Sequence, residues 1–385
     1  MTKQSIMRRT LGLAFASMGL LISGFSNQAL AQTKDLRQAA LYTQTDATLG
    51  NKVIAFYRNA DGTVTEAGRF PTQGKGLGAH LISAGSVDLA TVAGNQYLYV
   101  TNSLSNDITV FSVEADKLTV IQKIASGGLR PVGTTVHGNL LYVIHEISAT
   151  IDGFRVADDG TLSPIVGSKQ RVTGGTISEP FQVLFNNAGT LLAVSDENTQ
   201  LINTFLVDPV TGLAGAPIKN NAHGLNPFGM TFDQYDHLFS TSGGFDVPLL
   251  SSMSSFVVQP NGVLSPVSPT VGNKRQFECW ILVTSDAGYN GGHFGYTDNT
   301  GDSTVSSYFI QPDGSMTLLK SVAARAASWP LIGIEDNAMT ADSKFYYAVS
   351  LTGHINSWKI EQNGDLTDLQ QVNGLPISIA GLAVR

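Results

Sequence analysis

Ile310-Gln311-Pro312-Asp313-Gly314-Ser315-Met316-Thr317 reads as the end of one β-strand, a tight turn and the start of the next strand. Asp-Gly favours such a hairpin because both central positions tolerate positive φ. The same punctuation recurs along the chain. Glycine-centred turns stand at Gly62, Gly160, Gly212, Gly262, Gly314 and Gly364, and a non-glycine turn at Asp116-Lys117. The last four intervals are 52, 50, 52 and 50 residues, and Gly62 to Gly160 is 98, two periods. A strand-built period of roughly 40 to 50 residues marks a ring or stack of blades.

A second landmark keeps the same period. A short apolar strand precedes each turn: Leu41-Tyr42-Thr43, Leu98-Tyr99-Val100, Leu141-Tyr142-Val143, Leu192-Ala193-Val194, Leu238-Phe239-Ser240, Phe294-Gly295-Tyr296 and Tyr346-Tyr347-Ala348. These are second strands, followed by alternating third strands such as residues 108–113 and then, past the turn, by fourth strands. The innermost strand has its own grammar, a Pro followed by small and apolar residues: Pro131-Val132-Gly133, Pro180-Phe181-Gln182, Pro227-Phe228-Gly229. Residues 376–384 repeat that grammar with no blade after them. The expected fold is therefore all-β, a seven-bladed β-propeller of four-stranded antiparallel blades, its ring closed by the C-terminal strand, which removes free sheet edges. A β-solenoid would need shorter repeats and capping ends.

Residues 1–31 read as a signal peptide. Lys3, Arg8 and Arg9 precede the apolar residues 11–22, and Ala29-Leu30-Ala31 offers a small-x-small cleavage site. That apolar run is shorter than the ~20 residues of a membrane span. Residues 32–385 are then a single exported propeller domain, periplasmic or extracellular, and a monomer is the expectation. Removing three basic residues from 23 leaves 20 against 30 acidic, a net charge of −10. Such a balance disfavours nucleic acid, membrane insertion and anionic lipid surfaces. Cys279 is the one cysteine, so no internal disulfide forms.

The blocks at residues 207–213, 258–267 and 310–317 resemble the blade repeat of the seven-bladed lactonase family, which includes bacterial 6-phosphogluconolactonases and fungal carboxymuconate-lactonizing enzymes. The resemblance runs over essentially the whole mature chain. It implies a lactonase scaffold, and in the family's active members a His-rich segment after an inner-strand proline, an Arg in the next loop, and an Arg-His pair with a Glu one blade later. Here the matching positions read Ser178-Glu179-Pro180-Phe181-Gln182, Asp196-Glu197-Asn198-Thr199-Gln200-Leu201, Asn226-Pro227-Phe228-Gly229 and Ser242-Gly243-Gly244. None of those functional residues carries over, and function belongs to the site rather than the fold.

Candidate site residues come from the loops that enter first strands and leave second strands, which share one end of the ring. They are Arg130, His145, Glu146, Glu179, Asp196 and Glu335, with Glu197, Glu278, Trp280, Asp298 and Asp336 nearby in the repeat. Metal-free lactone hydrolysis would use Glu146 or His145 as general base on a water and Arg130 at the developing oxyanion. No cofactor is identified. Calcium is the one metal the residue types suit, through oxygen ligands such as Asp196 and Asp298, although no loop has calcium-ligand spacing. The seven histidines, at 80, 137, 145, 223, 237, 293 and 354, form no metal or hydrolase motif. Gly74, Gly76 and Gly78 read as an interblade loop and Cys279 as a packed side chain. Two functions follow: an exported lactonase-like hydrolase or isomerase of a small lactone or sugar acid, or a noncatalytic propeller binding a small molecule or protein at the channel mouth.

Overall fold

The computed structural model describes residues 39–79, 81–115, 117–244, 250–285, 291–331 and 333–385. The signal peptide and its cleavage site, His80 and the turn residue Asp116 lie outside them. The described residues form seven antiparallel sheets in a ring. Going outward from the axis, the first-strand segments of blades two to seven are Val87–Val92, Pro131–His137, Pro180–Phe185, Pro227–Phe232, Glu278–Val283 and Ile334–Met339. Blade one comprises Ala39–Gln44, Lys52–Arg58 and Val64–Pro71, and its innermost strand is Ala380–Val384. Leu41 pairs with Val384 and Tyr42 with Ala383, so the last residues of the chain close the ring as expected. The closing strand starts at Ala380 rather than at Pro376.

The two periodic landmarks are bonded to each other. Each described turn glycine has φ between +71° and +89°, a region that costs a side-chain-bearing residue. Its carbonyl accepts a hydroxyl from the preceding blade. Tyr99 donates to Gly160 (3.1 Å), Tyr142 to Gly212 (2.6 Å), Tyr296 to Gly364 (3.0 Å) and Tyr347 to Gly62 (2.8 Å). Blades four and five lack that second-strand tyrosine. There the donor moves to the cross-strand partner: Thr204, opposite Ala193, reaches Gly262, and Ser255, opposite Phe239, reaches Gly314. Between blades the apolar faces meet in clusters such as Leu41, Ile54 and Phe56 with Phe345, Tyr347 and Val349.

Blade three departs from the four-strand rule. Its outer strand is split into Leu162–Pro164 and Gln170–Arg171, because the hydroxyl of Ser168 takes the N–H of Gly153 in place of a ladder partner. The first strands of blades three to seven all carry a register shift within their first few residues. A bulge there bends the strand and re-aims the residues that follow. Those residues, which include Phe181, Phe228, Trp280 and Asp336, are the ones that furnish the axis.

A methyl group on Gly364 would sit 2.6 Å from the ring of Phe294, whereas one on Gly167, also at positive φ, meets open space. Gly167→Ala pays the backbone strain alone, on the order of 1 kcal/mol, and Gly364→Ala adds the interblade clash. Thermal unfolding is expected to show a clearly larger loss of melting temperature for Gly364→Ala; equal losses would contradict the role given to the turns.

Candidate functional site

The ring has two unlike ends. At the entry end, first strands begin and second strands finish; at the turn end lie the Gly turns. Near the entry end an apolar layer crosses the axis. Phe181 of blade four stacks on Phe228 of blade five at 4.2 Å between centroids, and Phe228 meets the edge of Trp280 of blade six at 5.0 Å. Ala84 and Cys279 complete the cluster, every member buried. The Trp280 indole N–H donates to the carbonyl of Ser83 at 2.9 Å. Ser83 leads into blade two, which does not neighbour blade six, so this bond spans the channel. Cys279 is a packed side chain there, and burial pushes its thiol well up.

On the far side of that layer lies a cavity of about 540 Å³, walled by the first strands of all seven blades and bordered by His137, Phe185, Asn187, Met339 and Val384 where those strands end. It therefore faces the turn end. Two carboxyls stand in its wall, Asp88 of blade two and Asp336 of blade seven, among Thr134, Gln182, Asn186 and Asn337. Burial pushes Asp88 up to about 7, and its Oδ2 has no hydrogen-bond partner among the described residues. Burial also pushes Asp336 up to about 8, against the pull of the backbone amides of Asn337, Leu382 and Gly85. A carboxyl with a value near neutrality can exchange a proton at working pH, which an ordinary surface Asp cannot.

The residues expected at the mouth divide into three groups. Arg130 and Glu146 form an ion pair at 2.8 Å on the entry end, both partly exposed. Burial raises the Glu146 carboxyl, Arg130 opposes the shift and the charge of Glu179 adds to it. Glu179 adjoins them, holding Asn198 through Oε2 and donating its own N–H to Asp196. His145 is not at the surface. It is wholly buried under Gly128, its Nδ1 close to the Thr150 carbonyl, and burial lowers it to about 4, so it stands as a neutral packed ring without solvent access. Asp196, Asp298 and Glu335 are buried as well. Asp298 accepts from Tyr346 (2.7 Å) and from the Asn337 amide (3.1 Å), so it reaches the cavity only by holding a wall residue. Glu278 faces away from the axis, accepting from Thr297 and Tyr308. Among the described residues no group of three or more His, Cys, Asp or Glu converges as a metal ion requires, and Asp196 and Asp298 lie in different blades.

Asp88 was not among the sequence candidates, because the first strand of blade two begins Ser86-Val87 without the proline that marks blades three to five. Its signal, a lone carboxylate in an inner strand, becomes visible once the repeat is aligned from the C-terminal strand backwards.

Residues 39–178 match the family model described as Lactonase, 7-bladed beta-propeller. No curated protein matches the chain in sequence. Among solved structures, a candidate 6-phosphogluconolactonase from Bacteroides fragilis is 17% identical with a TM-score of 0.68, over 91% of this chain and 98% of that one. The periplasmic gluconolactonase of Pseudomonas aeruginosa is 16% identical with a TM-score of 0.65, over 90% and 99%. A candidate 6-phosphogluconolactonase from Bacteroides uniformis is 15% identical at 0.65, over 89% and 99%. At these identities the likeness is one of fold.

So many raised carboxyls set the pH dependence of stability. Burial lifts Asp46, Asp88 and Glu278 to about 7 and Asp336 to about 8, against roughly 4 in an unfolded chain. The folded protein then holds more protons than the unfolded one between about pH 4 and 8, so stability falls as pH rises through that window. His145 works oppositely but only below about 6.5. The melting temperature is expected to drop from pH 6.5 to 8.5 and to drop less in Glu278→Gln; calorimetry showing a constant or rising value would contradict this.

Proposed function

We propose that the chain, whose residues 39–178 match the model of the seven-bladed β-propeller lactonases and whose described residues form the corresponding ring, is an exported hydrolase of a small uncharged sugar lactone that works inside the channel. The observation that carries this reading is the cavity wall: Asp88 and Asp336, raised to about 7 and about 8, in a space of about 540 Å³. That volume lies within the ~300 to 1,000 Å³ of ordinary small-molecule sites. Export rests on the leader-like features of residues 1–31.

Near pH 7.5 each carboxyl has a distinct part. Ionised Asp88 takes a proton from water as its oxygen attacks the ring carbonyl carbon. Protonated Asp336 donates a hydrogen bond to the carbonyl oxygen as negative charge builds on it. The tetrahedral adduct then breaks the ring C–O bond, and the proton held by Asp88 passes to the departing oxygen. The hydroxy acid formed ionises, and repulsion from Asp88 favours its release. No Lys or Arg is among the cavity-lining residues. A phosphorylated lactone would bring two negative charges to a wall with nothing to neutralise them, which points the substrate class to neutral lactones.

The test is acid release from a panel of neutral and phosphorylated six-carbon lactones. Asp88→Asn is expected to lower kcat by about 100-fold or more, the usual worth of a general base, while Glu146→Gln and Arg130→Ala stay within about twofold. The profile of kcat/KM should rise through about pH 7 and fall above about 8, and Asp336→Asn should remove the alkaline limb. Efficient turnover of the phosphorylated lactone, loss of activity in Glu146→Gln with Asp88→Asn unaffected, or hydrolysis of no lactone at all would each overturn the reading.

A further inference from the structure

The entry end combines two kinds of surface that rarely lie exposed together. Around its whole rim, loop tips present large apolar side chains to solvent: Leu49 is 99% exposed, Ile377 73%, Leu331 67%, Ile177 65%, Ile147 56% and Trp329 48%. They lie on five loops spread over several blades, with Trp329 and Leu331 sharing one, so they form a broad rim rather than a groove. The cations Lys52, Lys75, Arg171, Lys274 and Arg325 are exposed at the same end. No described carboxylate there is exposed; those of Glu146, Asp152 and Asp302 are partly buried in pairs with Arg130, Lys169 and Arg275. The turn end instead exposes the carboxylates of Asp61, Asp159, Asp208, Asp313 and Asp342, which outnumber its exposed cations such as Lys117 and Lys344. The acidic net charge averages over these two ends and hides their difference.

We propose that the entry end is a docking surface for an anionic lipid bilayer. A flat, negatively charged surface with an apolar layer just beneath it suits apolar tips spread around a rim and interspersed with cations. The Arg325 guanidinium lies 5.1 Å over the Trp329 ring, which joins an interfacial aromatic to a headgroup-reaching charge in one unit. An anionic polysaccharide would engage the cations and leave the apolar rim in water. The acidic turn end is repelled by the same membrane, so it faces away, and the cavity that opens there stays accessible from the aqueous side. The inference does not depend on lactone chemistry.

Tryptophan emission of the full chain mixed with vesicles tests it. Of the three tryptophans, Trp280 and Trp358 are buried and Trp329 is exposed, so quenching by brominated acyl chains reports insertion of the Trp329 loop, which binding through the apolar leader would not produce. Brominated phosphatidylglycerol vesicles are expected to quench emission at low salt, phosphatidylcholine vesicles much less, and Trp329→Phe should abolish the effect. Lys75→Gln and Lys274→Gln should each weaken binding about fivefold, with circular dichroism unchanged because both side chains are exposed. Sedimentation with vesicles without quenching, equal binding to both lipids, or binding to dextran sulfate as tight as to phosphatidylglycerol without any lipid quenching would overturn the proposal.

Discussion

One hydrogen bond, repeated around the ring, holds the blades to one another: a hydroxyl of one blade donating to the turn-glycine carbonyl of the next. It joins an outer turn to a neighbour's inner half, so it sets rotation between blades as well as their separation. A buried carbonyl left without a donor costs roughly 1 to 3 kcal/mol, and the turn cannot move away without also exposing the aromatic or aliphatic side chain beneath its glycine, such as Phe345 under Gly62 or Phe294 under Gly364. Tyr347 to Gly62 makes this bond between blades seven and one, and the C-terminal strand makes the ladder within blade one. Ring closure is thus secured twice, by different residues.

This interaction explains why the fold was legible from the residues. A glycine was required by φ and by the close approach of the neighbour, and an aromatic hydroxyl by the carbonyl it must reach, so both marks recur at one spacing. The exceptions are informative. Leu192-Ala193-Val194 and Leu238-Phe239-Ser240 look like weakened copies of Leu-Tyr-Val, yet the hydroxyl has only crossed the ladder to Thr204 and Ser255. What recurs is a hydroxyl at one point in space, and a linear motif captures it only where strand two supplies it.

The candidate site was less legible because its properties depend on depth. Position in the repeat groups Arg130, Glu146 and Glu179 with His145, Asp196, Asp298 and Glu335 as equals, yet the last four are buried. Nothing local distinguishes them: His145 ends the second strand of blade three as Asp196 ends that of blade four, and what covers His145 is the loop bearing Gly128 folded over it. The apolar layer was equally hidden. Phe181, Phe228 and Trp280 each read as an ordinary inner-strand residue, and only the bulges that bring them to a common axis make them a partition between the mouth and the cavity.

That partition ties the electrostatics together. With few charged residues, the chain nonetheless commits several carboxyls to its interior, where burial outweighs the hydrogen bonds that would ionise them, as at Asp298, Glu278 and Asp336. Burial holds Asp298 and Glu335, beside the partition, well above the usual carboxylate range, and the charge of Asp336 adds to the shift of both. A neutral interior of this kind keeps the low-dielectric region around the axis intact. If Asp298 or Glu335, which do not line the cavity, ionised, the charge would have to be solvated through the layer of Phe181, Phe228 and Trp280 that separates the two ends. The raised carboxyls beside that layer and the closure of the mouth are therefore consequences of one packing arrangement.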